Sequence, residues 1–256
     1  YKLRANYDIE NIDSQKMDGT VIVDVPMLSN GELNYGLSHI KKKLYEENVY
    51  PSEIGFDIML LATMVYMADT RIESVVHGQD SWTREIELEI PVSNVEIWDS
   101  QIRTVERMLK FLTGDLWKIT LSSRAWQFNN LEEVREKSNK YDEVSLFSGG
   151  MDSLISTINL MENKKNTLLI SHAGEGLTKN AKKNIVNKFD LLYPDVLHTW
   201  LDLWMVFPRD YIPAGGNDNN TRSRSFLFIG YALFAMTGMD NINELLVPEN
   251  GLIALN

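Results

Sequence analysis

The stretch Val144-Ser145-Leu146-Phe147-Ser148-Gly149-Gly150-Met151-Asp152-Ser153-Leu154-Ile155 decides how this chain is read, because an apolar strand ends and a helix begins inside it. Val144 to Phe147 is the short apolar run of a buried strand, and Leu154, Ile155, Ile158 and Met161 recur at helical spacing. Between them, two adjacent glycines let the backbone approach a ligand closely, and the first turn of the helix leaves N–H groups without intrahelical acceptors. Such a junction suits an anion. Ser148 and Ser153 add hydroxyl donors. Asp152 cannot take a phosphate oxygen without repulsion, so its carboxylate is expected to hold a magnesium ion or to orient the turn. The turn lacks the lysine of the G-x-x-x-x-G-K-[ST] arrangement, which counts against a kinase or GTPase. The alternative is a serine- and glycine-rich turn that merely caps a helix, and the strand-to-helix context weighs against it.

With 256 residues, 44% of them hydrophobic, the chain can fill the cores of two modest domains. A net charge of -11 argues against broad nucleic-acid binding, which needs a positive surface, so any RNA contact would be local. There is no cysteine, which removes disulfides, thiolate zinc sites and a catalytic thiol from these residues. The longest apolar run, Ile58 to Ala68, is too short to span a bilayer, and Tyr1 opens no signal-like segment. A soluble, cytoplasmic protein without membrane contact is expected. The chain starts without methionine and stops inside the apolar segment Ile253 to Asn256, so a continuation carrying a lid or a partner-binding element is expected.

The polar stretch Glu132 to Lys140 predicts a division into residues 1–140 and 141–256. In the first part, Glu85 to Ile90 alternates acidic and apolar, the pattern of a strand with one face in water. Trp98, Ile102, Val105, Leu109 and Leu112 describe an amphipathic helix behind an Asn94 cap. Leu116 to Leu121 and Thr20 to Val25 read as strands, and Ile54 to Ala68 as a buried helix. A smaller α+β domain without nameable chemistry is predicted, its role being to pack against the second part or to dock a partner. The second part alternates strand and helix: Thr167 to Ser171, Val196 to Leu203 and Glu244 to Val247 are strands, and Leu177 to Leu192 and Ser223 to Thr237 are helices. That is the order of a doubly wound parallel sheet, an α/β fold, whose ligands sit beyond the carboxyl ends of the strands. The loops after Phe147, Ser171, Leu203 and Val247 are therefore expected to face one crevice.

Besides the turn after Phe147, the other three loops carry candidate residues. His172 and Gly174 follow the second strand, where glycines suit a close ligand but also an ordinary strand-to-helix turn. Arg222-Ser223-Arg224-Ser225 opens a helix, and basic residues are disfavoured there unless something negative lies nearby, so a second anion site is predicted. Glu249 and Asn250, after the last strand, have the donors and acceptors to read a purine-like edge, although a proline-led turn is also an ordinary loop.

The segment Ser148-Gly149-Gly150-Met151-Asp152-Ser153 after a strand resembles the PP-loop of the ATP pyrophosphatase superfamily, which includes NAD and GMP synthetases, argininosuccinate synthetase, tRNA thiolation enzymes and 7-cyano-7-deazaguanine synthase (QueC). The resemblance implies an adenine nucleotide alpha hydrolase-like fold. It also implies a shared chemistry: a substrate oxygen attacks the α-phosphate of ATP, pyrophosphate leaves, and a nucleophile takes the adenylated carbon. Holding a departing pyrophosphate instead of a transferring γ-phosphate would explain the missing lysine. Arg222 to Phe226, with Leu246 to Asn256, is similar to QueC-like proteins of bacterial anti-phage operons, the QatC group and its relatives in CBASS systems. This likeness covers residues 142–256 and touches the first part only loosely. Where QueC-like proteins carry an Arg-Asn pair at the helix start, Arg224-Ser225 stands here, which leaves the cation and removes the amide.

The resemblance implies an AMP-forming ligase that adenylates a 7-deazaguanine-type carboxylate and couples it to an amine, the N-terminus of a partner protein in antiviral defence. Ser148, Gly149, Gly150 and Ser153 would hold pyrophosphate, with Asp152 serving magnesium. His172 and Gly174 would lie by the nucleotide, Arg222 and Arg224 would offset charge on the leaving group, and Glu249 and Asn250 would recognise the base. Nitrile formation with ammonia and tRNA modification are alternative enzymatic readings, the absent cysteines counting against thiolation. A nucleotide-sensing scaffold is the alternative of another class. Queuosine-pathway members bind zinc through cysteines near their carboxyl end, so zinc here would lie beyond Asn256 or be dispensed with.

Overall fold

A computed structural model describes residues 1–128, 140–173, 176–218 and 222–249. Two compact units interleave along the chain: Tyr1–Ser38, Ser52–Glu133 and Met205–Leu227 form the first, and His39–Pro51, Val134–Trp204 and Phe228–Asn256 the second. This division differs from a single boundary at residue 140 in two segments that lie across it, residues 39–51 and 205–227. Residues 205–227 join the first unit through backbone groups: Arg71 donates to the carbonyls of Phe207 at 2.7 Å and Pro208 at 2.8 Å, and the Glu73 N–H donates to the Gly215 carbonyl at 2.7 Å. Residues 39–51 join the second through Glu47, whose carboxylate accepts from Lys140 at 2.5 Å and from the Tyr141 hydroxyl at 2.6 Å. All but the last residue of the expected Glu132 to Lys140 linker lies outside the described residues.

The strands and helices up to the first unit's last strand are β1 (Lys2–Asn6), β2 (Asp13–Met17), β3 (Thr20–Pro26), β4 (Leu28–Ser29), β5 (Glu32–Leu33), α1 (Leu37–Glu46), α2 (Glu53–Arg71), α3 (Ser74–His77), β6 (Glu85–Val92), α4 (Val95–Asp99), α5 (Ile102–Thr113) and β7 (Leu116–Ser123). Its main sheet runs in the order β2-β3-β1-β6-β7. Three of the four pairings are parallel and only β2 with β3 is antiparallel. The predicted α+β domain is thus corrected to an α/β unit with a mixed, parallel-dominated sheet. Alternation in β6 works as expected: Ile86, Leu88 and Ile90 are buried, while Glu87 and Glu89 each meet Lys2 at 3.1 Å. The long helix α2 is buried along most of its length, and the Ser52 hydroxyl caps it by accepting from the Gly55 N–H at 3.2 Å.

The single helix predicted over Trp98 to Leu112 is two helices, with Asn94 capping α4. Trp98 belongs to α4, and its indole N–H donates to the buried Asp57 carboxylate at 3.1 Å. Helix α5 ends on Gly114 at φ 77°, with its N–H on the Lys110 carbonyl. A side chain there costs about 1–2 kcal/mol in the left-handed region, and a Cβ would also lie 3.3 Å from the Trp82 indole nitrogen. Gly114→Ala is expected to lower the unfolding free energy by that amount, read as a reduced urea midpoint, with no effect on nucleotide binding.

The second unit contributes β8 (Glu143–Leu146), α6 (Met151–Glu162), β9 (Thr167–His172), α7 (Gly176–Leu192), β10 (His198–Leu203), α8 (Arg224–Met236) and β11 (Leu245–Leu246). The division between the units falls inside α8, after Leu227. All pairings in the order β10-β9-β8-β11 are parallel. Numbered within the unit this is 3-2-1-4, an order compatible with a doubly wound sheet. Phe147, Met161, Leu169, Phe189 and Val196 form a buried cluster beside it. Among the described residues no helix is long and apolar enough to cross a membrane.

Candidate functional site

The turn after β8 leaves the sheet where its strand order reverses, between β9 and β11. That is the place where open α/β sheets take ligands. Phe147 is fully buried; its N–H donates to the Ile170 carbonyl at 2.8 Å, and its carbonyl accepts from the Ser171 hydroxyl. The strand end is therefore fixed to β9 on both sides of the peptide. Beyond it the chain turns into solvent: Ser148, Gly150, Met151 and Asp152 are exposed, and Gly149 sits at φ 81°.

Ser153 builds the turn. Its buried hydroxyl accepts from the Gly149 N–H at 3.1 Å, donates to the Gly150 carbonyl at 2.9 Å and lies 3.1 Å from the Ser148 hydroxyl. Ser148 in turn accepts from the Gly150 N–H at 3.2 Å. The two hydroxyls assigned above to an anion are thus used inside the turn, shaping its backbone. What the turn presents outward is amide. Gly150 precedes α6 with no side-chain cap, and the first helical bond runs from the Leu154 N–H to the Gly150 carbonyl at 3.0 Å. The N–H groups of Met151, Asp152 and Ser153 precede that bond and have no acceptor within the helix, at the end where the helix dipole favours negative charge.

Asp152 lies in the first turn of α6. Among the described residues no group of three or more His, Cys, Asp or Glu side chains is placed to hold a metal ion. Magnesium arriving on a nucleotide needs only one or two carboxylates besides phosphate oxygens and water, so a lone exposed aspartate fits that cation better than a preformed metal cage.

Three side chains that sequence reasoning passed over meet beside the turn. Lys182 of α7 is 3% exposed, and its ammonium donates to the His172 carbonyl at 2.8 Å. Its stem runs under the turn: a Cβ on Gly149 would fall 2.8 Å from Lys182 Cγ. Asp202 of β10, 12% exposed, lies 3.9 Å from both the Lys182 and Lys179 ammonium groups. Burial pushes its carboxyl upward from the ordinary aspartate range, and the two lysines oppose that shift. The signal for Lys182 was its place on the inward stripe of α7, in register with Ile185, Val186 and Phe189, where a charge is out of pattern.

His172 contributes its carbonyl to Lys182, and its ring stacks on Tyr231 at 5.9 Å and 15°. Gly174 lies outside the described residues, as does Asn250. Glu249 is exposed and follows β11, the strand paired with β8. Arg224 is exposed at the start of α8.

Arg222 has a different neighbourhood from the one predicted. It donates to the Thr113 carbonyl and lies 3.4 Å from Asp69 and 3.4 Å from Asp115, both buried, with its guanidinium over the Trp82 ring. The negative charge that a basic helix start calls for is the protein's own. Asp69 accepts from the Ser223 N–H at 2.9 Å as well. No family model matches this chain, and neither does any curated protein or solved structure.

Proposed function

We propose that this chain is an ATP-dependent, AMP-forming ligase that adenylates a 7-deazaguanine-type carboxylate and couples it to an amine. The observation that carries the reading is the Ser148–Ser153 turn, with α6 starting uncapped by any side chain at the reversal point of a parallel sheet. In the first step a substrate carboxylate oxygen attacks the α-phosphorus, the bond to the β-phosphate bridging oxygen breaks, and pyrophosphate leaves. In the second an amine attacks the acyl carbon, AMP departs with its oxygen, and the amine proton passes to water. The amides of residues 151–153 hold the pyrophosphate, on a turn shaped by Gly149 and Gly150, and stabilise charge as it develops. Magnesium, when bound with the nucleotide at Asp152, neutralises phosphate charge. Arg224 is the cation carried over from the QueC-like pattern, and Glu249 with Asn250 reads the base. Arg222, committed to Asp69 and Asp115, is left out of the reaction.

The deazaguanine substrate, the antiviral setting and a partner protein's N-terminus as acceptor rest on the likeness to QueC-like defence proteins. Incubation with ATP and candidate carboxylates tests the reaction class: AMP and pyrophosphate are the expected products, and ADP with phosphate would overturn it. Asp152→Ala is expected to lower turnover about 10²–10³-fold at an unchanged urea midpoint. The engagement of Arg222 favours one second reading, a nucleotide sensor that scaffolds a defence complex. Stoichiometric ATP binding without cleavage, in the presence of every candidate carboxylate, would select it.

A further inference from the structure

A buried ammonium is costly unless something negative or polar holds it, and Lys182 is held at the carboxyl ends of two strands that flank the turn on one side. Among its partners are the His172 carbonyl, at the end of β9, and the Asp202 carboxylate, next to the end of β10. Its methylenes lie against Gly149: the position of a Cβ there is 2.8 Å from Cγ and 3.6 Å from both Cδ and Cε. The ammonium is one bond beyond Cε, beside the turn whose amides open the anion site. Lysine serves phosphate as a point charge, and the turn's own sequence provides none.

We infer that Lys182 is the phosphate-binding cation of this site, delivered from α7 to the pyrophosphate end of the nucleotide. The inference rests on the ATP-cleaving reading above and adds to it the residue that supplies the missing charge. Asp202 and the His172 carbonyl orient the ammonium before the nucleotide arrives, so little side-chain freedom is lost on binding.

Lys182→Met keeps an unbranched stem against Gly149 and removes the charge. Calorimetric titration with inorganic pyrophosphate and, separately, adenosine is the test. Pyrophosphate affinity is expected to fall at least about tenfold, the loss of a charge-assisted contact, while adenosine affinity stays close to wild type; the thermal midpoint falls as well, because the His172 carbonyl and Asp202 lose a buried partner. A purely structural lysine would instead lower both affinities together, which would overturn the inference. Unchanged pyrophosphate affinity in Lys182→Met, with the wild type binding normally, overturns it while leaving the ligase reading intact. A wild-type protein that binds neither ATP nor pyrophosphate removes the reading and the inference together. Should Lys182→Met fail to fold, Lys182→Gln retains a donor for the His172 carbonyl and is held to the same outcomes.

Discussion

Arg84→Met is expected to destabilise the protein by about 3–5 kcal/mol, the cost of leaving buried charge without its partner. Arg84 is 1% exposed and spends its donors on five acceptors. It reaches Asp115 through Nε at 3.0 Å and Nη2 at 2.6 Å, Asp69 through Nη2 at 2.6 Å, and the carbonyls of Asp69 and Ile72 through Nη1 at 3.0 and 2.6 Å. Both carboxylates are fully buried, so the methionine variant strands two anions where water cannot reach them. Arg222, 3.4 Å from each, offsets part of that loss and sets the lower end of the range. Urea unfolding at neutral pH measures the effect, and a change below about 1 kcal/mol would assign the balancing role to Arg222 instead. The triple variant Arg84→Met, Asp69→Asn, Asp115→Asn is expected to recover part of the deficit, since neutral amides tolerate burial better than unpaired carboxylates.

The same cluster explains why the domain division was not legible in the sequence. Asp69 directly follows the apolar run of α2 and reads as its polar end, yet it fixes the Ser223 N–H and Arg222 from more than a hundred residues further along. Assignment of residues 205–227 to the first unit depends on such pairings, which leave no local period or composition shift. Strand direction was illegible for a related reason. β1 mixes one buried residue with four half-buried ones and β2 is exposed throughout, so neither declares whether its neighbour runs parallel. By contrast, the strand–turn–helix at Val144 to Met161 was legible because an apolar run, two glycines and a helical stripe all act within twenty residues. The rule that cations avoid a bare helix start was sound at Arg222, but it could not say whether the compensating anion was a ligand or Asp69. Lys182 escaped notice because a lysine among lysines looks like a solvated face; only the register of Ile185, Val186 and Phe189 marks it as inward.

Gly149→Ala is expected to abolish pyrophosphate binding and lower turnover by about 10²-fold or more, whereas Gly150→Ala should cost far less. The two glycines are adjacent and equally prominent in the sequence, but their backbones differ. Gly149 has φ 81°, a region that an alanine enters at about 1–2 kcal/mol, and its new Cβ would press on Lys182 Cγ at 2.8 Å. Lys182 is buried and tied to the His172 carbonyl, so relief must come from moving either that ammonium or the turn. Either movement displaces a group assigned to the phosphates, and moving the turn also breaks the Gly149 N–H bond to Ser153. Gly150 has φ -81°, open to any residue, and its nearest contact would be the Ser148 hydroxyl at 3.4 Å. Titrating both variants with pyrophosphate separates backbone shape from mere glycine content. Equal losses would mean that the left-handed turn at Gly149 and the lysine behind it are not what holds the anion.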